Sequence, residues 1–161
     1  MGIDYELPVL NAQEEETIFP TFNADIAFDL GSCVRRLAQD HGPPVAIDIT
    51  LASGQLMFHC SSKPGTNIDN QEWIKRKRAT VLRFGRSSFY IGCKLRKDQR
   101  ELEKAFFISE KEYCTHGGGL PIRVAGTEGV YAVLCVSGLR QDMDHELGIK
   151  AMKETIANIH L

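Results

Sequence analysis

No two cysteines of this chain stand in the CxxC spacing of a zinc or redox site, and no CxxCH is present to tether a haem. The five that occur (Cys33, Cys60, Cys93, Cys114 and Cys135) are odd in number, which argues against a disulfide framework. They read as reduced thiols in a cytoplasmic protein. Long apolar runs are missing too: the longest, Val130 to Val136, falls far short of the roughly 20 residues that cross a bilayer. A basic region followed by an apolar core is absent from the start of the chain, so no secretory leader is expected. Neither an internal repeat nor a low-complexity tract breaks the sequence.

What is present is ordinary in amount and uneven in placement. With 161 residues, 43% hydrophobic and 25% charged, the chain fits one domain over residues 1–161 with a single core. The net charge of −2 hides a segregation. Residues 1–30 carry seven acids (Asp4, Glu6, Glu14, Glu15, Glu16, Asp25, Asp29) and no Lys or Arg. Residues 75–104 carry eleven bases against three acids, starting with Lys75-Arg76-Lys77-Arg78. Such asymmetry is either a solvated helix face or an attractor for an anion or for the acidic arm of a neighbouring copy. Nucleic acid is not the expected partner, because the basic run lacks the interleaved aromatics of a stacking platform.

Residues 1–20, with two prolines and an acidic run, read as an N-terminal arm outside the main core. Asn23 is a plausible N-cap for a helix on which Ala27, Leu30, Val34, Leu37 and Ala38 recur, stopped by Gly42-Pro43-Pro44. Val45, Ile47, Ile49 and Leu51 alternate with smaller or polar residues, predicting a strand with one buried face. Ala52-Ser53-Gly54-Gln55 turns the chain into a return strand through Leu56, Phe58 and Cys60, with His59 on its other face as an ordinary polar histidine. Asp69 or Asn70 is the expected cap of a helix through Trp73 to Phe84, and Ser87-Ser88 that of a second, shorter one. Residues 101–107 read as a further helical piece. Residues 120–125 and 130–136 form a second hairpin, and a last helix starts near Asp144. Helix, hairpin, helices, hairpin, helix is an α+β order with antiparallel neighbours.

The unusual stretch is Cys114-Thr115-His116-Gly117-Gly118-Gly119-Leu120-Pro121-Ile122. Three successive glycines surrender conformational entropy, which a sequence accepts where backbone must take positive φ or admit a close neighbour. They lack GxGxxG spacing and precede a strand, so they do not read as a phosphate loop. Val136-Ser137-Gly138-Leu139 and Asp144-His145 follow, and two histidines flanking one strand can converge in space. Candidate ligand-binding residues are therefore His116, Gly117, Gly118, Gly119, Asp144 and His145. Cys114 reads as a buried free thiol. Neither histidine stands in a spacing diagnostic of a metal site, and no catalytic residue is assigned.

These motifs, with the Gly54 hairpin, Trp73-Ile74-Lys75 and Ser87-Ser88, resemble the GlcG/HbpS-like domain family, often labelled haem-degrading. Within it they are most similar to the uncharacterised branch of bacteria and fungi, and the resemblance spans roughly residues 23–160. It implies a profilin-like fold, a five-stranded antiparallel sheet flanked by helices, assembled into homo-oligomers. The fifth strand is then expected near Glu112 to Thr115. Haem enters as a cofactor through this resemblance only. It would need an axial ligand from His116 or His145, an apolar slot and cations near its propionates.

Two readings follow. One is an oligomeric binder of a small ligand, haem or another planar anion. The other is a non-catalytic homo-oligomeric adaptor with a protein partner. In either, the acidic arm is expected to reach the basic segment of another copy, with Ile18, Phe19 and Phe22 as apolar anchors; the alternative is an arm folded onto its own domain, neutralising the basic segment within one subunit.

Overall fold

The computed structural model of the protein describes residues 2–160. Among them, five strands form one sheet and six helices cover it. The elements run α1 (Leu7–Glu16), β1 (Ile18–Phe19), α2 (Ala24–Ala38), β2 (Ala46–Leu51), β3 (Leu56–Ser61), α3 (Ile68–Phe84), α4 (Ser88–Lys97), α5 (Leu102–Phe106), β4 (Gly119–Val124), β5 (Ala132–Ser137) and α6 (Gln141–Ala157). Strand order is β1-β4-β5-β2-β3. Both hairpins are antiparallel as expected, and β2 also pairs antiparallel with β5, setting Ile47 opposite Val136 and Ile49 opposite Leu134.

The sheet is mixed rather than purely antiparallel. Its fifth strand is Ile18–Phe19, which pairs parallel with β4 through Ile18 opposite Arg123. Phe19 is fully buried, and its carbonyl accepts from the Ala125 amide at 2.9 Å. The expected strand at 112–115 is absent. Tyr113 closes a turn onto Ser109, and the Cys114 amide donates to the Thr80 hydroxyl instead of to a strand neighbour.

Both faces of the sheet are covered, so β2 is buried almost throughout. Ile47, Ile49, Leu120, Ile122, Leu134 and Val136 pack with α2 and α6 in the main core. Ala46, Val133 and Cys135 pack on Ile74 and Val81 of α3. The polar alternates of β2 therefore lie under α3 rather than in water. Asp48 is not left unpaired there: it accepts from Arg78 (2.8 Å), Thr50 (2.6 Å) and the His59 ring (3.1 Å).

Helix ends follow the capping logic with one shift. Asn23 caps α2 by accepting from the Ile26 amide at 3.0 Å, and Ser87 caps α4 through Tyr90. The cap of α3 is Asn67, not Asp69 or Asn70; Asn70 instead reaches back to the Asn67 amide, closing a capping box. The last helix starts at Gln141, three residues before Asp144.

The acidic arm folds onto its own chain. Leu10 of α1 packs with Phe89 and Cys93 of α4. Glu14 pairs with Arg86, Asp4 with Arg96 and Glu16 with Lys153, each at 2.6 Å. Phe19 and Phe22 belong to the main core. The arm's charged contacts are thus made within the chain: Leu10 is the residue that closes onto α4, Phe19 and Phe22 are buried in the main core, and of the expected anchors only Ile18 stays exposed.

Candidate functional site

The segment 114–119 runs beneath α3 before entering β4, and its glycines explain themselves by what surrounds them. A Cβ on Gly117 would lie 2.2 Å from the Gln141 carbonyl oxygen. One on Gly118, at φ +124°, would meet the Val136 carbonyl at 2.2 Å and the Lys77 Nζ at 2.7 Å. Gly119 lies against Ser88 and the Lys77 backbone. The triplet lets the start of β4 wedge between α3, α4 and the β5–α6 turn. Two of its three amides are engaged: Gly117 N donates to Gln141 Oε1 (3.2 Å) and Gly119 N to Ser88 Oγ (2.9 Å). No anion cradle forms there.

His116 is held by its flat face. Its ring stacks on Trp73 with centroids 4.9 Å apart and planes 23° from parallel. The Arg76 guanidinium lies 4.3 Å from the Trp73 ring centroid, and Trp73 Nε1 donates to Asp69 at 3.1 Å. One turn of α3 therefore orients the whole stack. Among the described residues neither ring nitrogen of His116 has a protein partner, and the side chain stays open to solvent at its edge. Partial burial against the stack lowers its pKa, and Lys77, Arg96 and Arg76 push the same way, so the imidazole is neutral in a positive field.

Beside this stack lies a cleft of about 210 Å³, lined by Asn70, Trp73, Lys77, His116, Gly138 and Asp144 among others. Its floor is an ion pair with both side chains 3% exposed, Lys77 Nζ standing 3.3 Å from Asp144 Oδ2. Lys77 also donates to the Val136 carbonyl at 2.9 Å. Asp144 accepts from the amides of Gly138 (3.2 Å) and Leu139 (2.9 Å), which ties the β5–α6 turn to the helix. Burial raises the Asp144 carboxyl to about 6 against the opposing pull of Lys77 and the two amides.

His145 is elsewhere. Successive helix residues point about 100° apart, so with Asp144 facing the cleft its neighbour cannot. The ring is 1% exposed, tilted on Phe89 at 4.9 Å and edge-on to Tyr5. The Gln13 side-chain amide donates through Nε2 to Glu146, which leaves its Oε1 to accept from His145 Nε2 at 2.7 Å. Nδ1 is then a bare acceptor, buried and without a partner. Desolvation lowers this histidine to about 3, so it is a neutral core residue clamped by α1. The structure thus brings His116 and Asp144 to one cleft, leaves the glycine triplet packed behind it against Lys77 and Gln141 rather than lining it, and separates His145 from them.

Two residues of the cleft escaped the sequence reading. Trp73 and Lys77 entered it as positions along the helix, the first also in a motif and the second also in a basic run, but not as site residues. Yet Ile74, Lys77 and Val81 fall at i, i+3 and i+7, and the structure buries all three. A lysine on the apolar stripe of a helix was the available signal. The thiols offer no alternative chemistry: burial raises all five cysteines, and Cys114 Sγ merely accepts from the His116 amide at 3.3 Å. Among the described residues no group of three His, Cys, Asp or Glu is placed to hold a metal ion.

The family model described as haem-degrading protein HbpS-like matches residues 22–153. The chain belongs to the HbpS-like family. It is 42% identical to a UPF0303 protein of Psychromonas ingrahamii over 159 residues, 99% of this chain and 98% of that one. It is 40% identical to UPF0303 protein YBR137W of Saccharomyces cerevisiae, over 91% of this chain and 82% of the yeast protein. The Ybr137w crystal structure superposes with a TM-score of 0.89, covering 94% of this chain and 88% of that one. A Streptomyces reticuli HbpS double mutant (TM-score 0.64, 15% identity, 86% and 88% covered) shares the fold. So does a PduOC–haem complex (TM-score 0.68, 17% identity, 87% and 97% covered).

Haem would need an axial ligand at an apolar slot. His116 offers a free ring nitrogen, but the cleft it borders is walled by Asn70, Lys77, Ser137 and Asp144 and holds about 210 Å³. Sites for larger organic ligands occupy roughly 300–1,000 Å³ with mainly apolar walls. His145, the other candidate, is sealed by α1. Within one subunit these residues do not fit the macrocycle.

Proposed function

We propose that this HbpS-like protein is a binder of a small planar anion, seated in the cleft beside the Trp73–His116 stack. The observation that carries the reading is a neutral, unpartnered imidazole fixed by stacking in a field made positive by Lys77, Arg76 and Arg96. A carboxylate there gains the field and one imidazole hydrogen bond, and its flat body can lie along the aromatic pair. The cleft volume favours a compact ligand over haem.

Trp73 is the single tryptophan of the chain, so its fluorescence reports the site alone. Titration with benzoate and with pyruvate should give a saturable change. The affinity should strengthen as pH falls below the ordinary histidine range, because a bound anion stabilises the imidazolium that the empty field disfavours. His116→Gln should weaken that pH dependence, leaving the part contributed by Asp144, which is raised to about 6 on the same cleft. A Trp73 signal indifferent to both carboxylates, alongside a Soret shift on haemin titration, would return the site to haem. Indifference to all three would end the ligand reading.

Self-association is a second proposal, now placed at the sheet edge rather than on the arm. β3 ends the sheet, and its first residue Leu56 is 59% exposed, while Phe28 (63%) packs on Phe58 of the same strand. An open edge flanked by exposed apolar side chains is a surface that a second copy or another protein can extend. The five free thiols support a reducing, cytoplasmic setting.

A further inference from the structure

Lys77 occupies a position that packing alone would give to an apolar residue. It sits on the buried stripe of α3 between Ile74 and Val81, yet carries an ammonium to the floor of the cleft. Buried ion pairs add little net stability over well-packed apolar side chains. Here the pair also demands a glycine at 118, since a Cβ would come within 2.7 Å of Nζ. Of the three N–H bonds on Nζ, the Val136 carbonyl and Asp144 take two. An amine, a carboxyl within 3.3 Å and a neutral imidazole on the same small cleft are the groups that carbonyl addition requires.

We propose that Lys77 is an imine-forming amine whose substrate is a small α-oxo carboxylate. This rests on the planar-anion reading and narrows it: the carboxylate takes the positive field near His116, and the adjacent carbonyl turns to Nζ. Asp144 accepts a proton from the ammonium, and the free amine adds to the carbonyl carbon. The nitrogen then passes a proton to the former carbonyl oxygen, giving a carbinolamine. Asp144 returns its proton to that hydroxyl, the C–O bond breaks, water leaves and the C=N bond forms. The sum is ammonium plus carbonyl going to iminium plus water, with Asp144 regenerated. Its carboxyl, raised to about 6, is basic enough to hold the proton in passing near neutral pH.

The test is reductive trapping of the full-length protein with pyruvate and borohydride, read by intact mass and peptide mapping. The expected result is one adduct per chain, heavier by pyruvate less one oxygen, on the peptide containing Lys77. Lys77→Arg should abolish it, while Lys75→Arg, an exposed neighbour, should leave it intact. Mapping the wild-type adduct needs no variant, so a misfolded Lys77→Arg would not spoil the result. No adduct, or adducts scattered over surface lysines, with Trp73 fluorescence still responding to pyruvate, overturns imine formation and leaves anion binding standing. Loss of the fluorescence response as well would take both down.

Discussion

His145 shows how one side chain can be decisive for stability without belonging to the site. Burial lowers its pKa in the fold to about 3, below the ordinary histidine value of 6.5, so folding selects the neutral ring. The stability this contributes is full above pH 6.5 and is lost as pH falls toward 3, about 5 kcal/mol over the whole span. Asp144 acts in the opposite sense. Its folded pKa is raised from 3.8 to about 6, so its contribution is full below pH 3.8 and fades as pH rises through 6. The two offset each other in the wild type, and a difference measurement separates them. Denaturant unfolding should show His145→Gln gaining on the wild type as pH drops from 8 to 5. A gap constant with pH would mean that His145 is not neutral in the fold.

At the scale of elements, α1 is bound to the body by unequal contacts. Leu10 is 1% exposed among Phe89, Cys93 and Tyr5, and Leu10→Ala should destabilise the protein by about 2–5 kcal/mol. The Asp4–Arg96 pair is half open to water, and Asp4→Asn should cost less than about 1 kcal/mol. Thermal unfolding of the two variants checks the ranking; equal effects would mean that charge rather than packing holds the arm. The same comparison explains what the sequence pattern concealed. Acidic residues on 1–20 and basic residues on 75–104 announced a pairing, but nothing in the charges distinguishes a partner chain from the same chain. Likewise the alternation in β2 marked a strand without revealing that α3 would cover its polar side.

For the whole molecule, the arm's charges are spent internally, so assembly should not depend on them. Light scattering should find an oligomer that survives high salt and is weakened by Phe28→Asp at the β3 edge. A monomer at low micromolar concentration would refute self-association, and an oligomer dispersed by salt alone would return the contact to charge.

Local periodicity and turn chemistry determined most of the elements: both hairpins, the caps at Asn23 and Ser87, and the helix order are written in short stretches of sequence. His116, beside the glycine triplet, and Asp144 lie on the cleft, whereas the glycines themselves pack behind it. Three matters waited for the tertiary structure. The fifth strand is two residues long and parallel, held by Phe19 burial and too short to show a period. His145 of α6 packs against α1 rather than facing the cleft, because adjacent helix positions diverge by about 100°. Lys77 and Trp73 joined His116 only when β4 wedged beneath α3, a contact between segments about forty residues apart that no local pattern encodes.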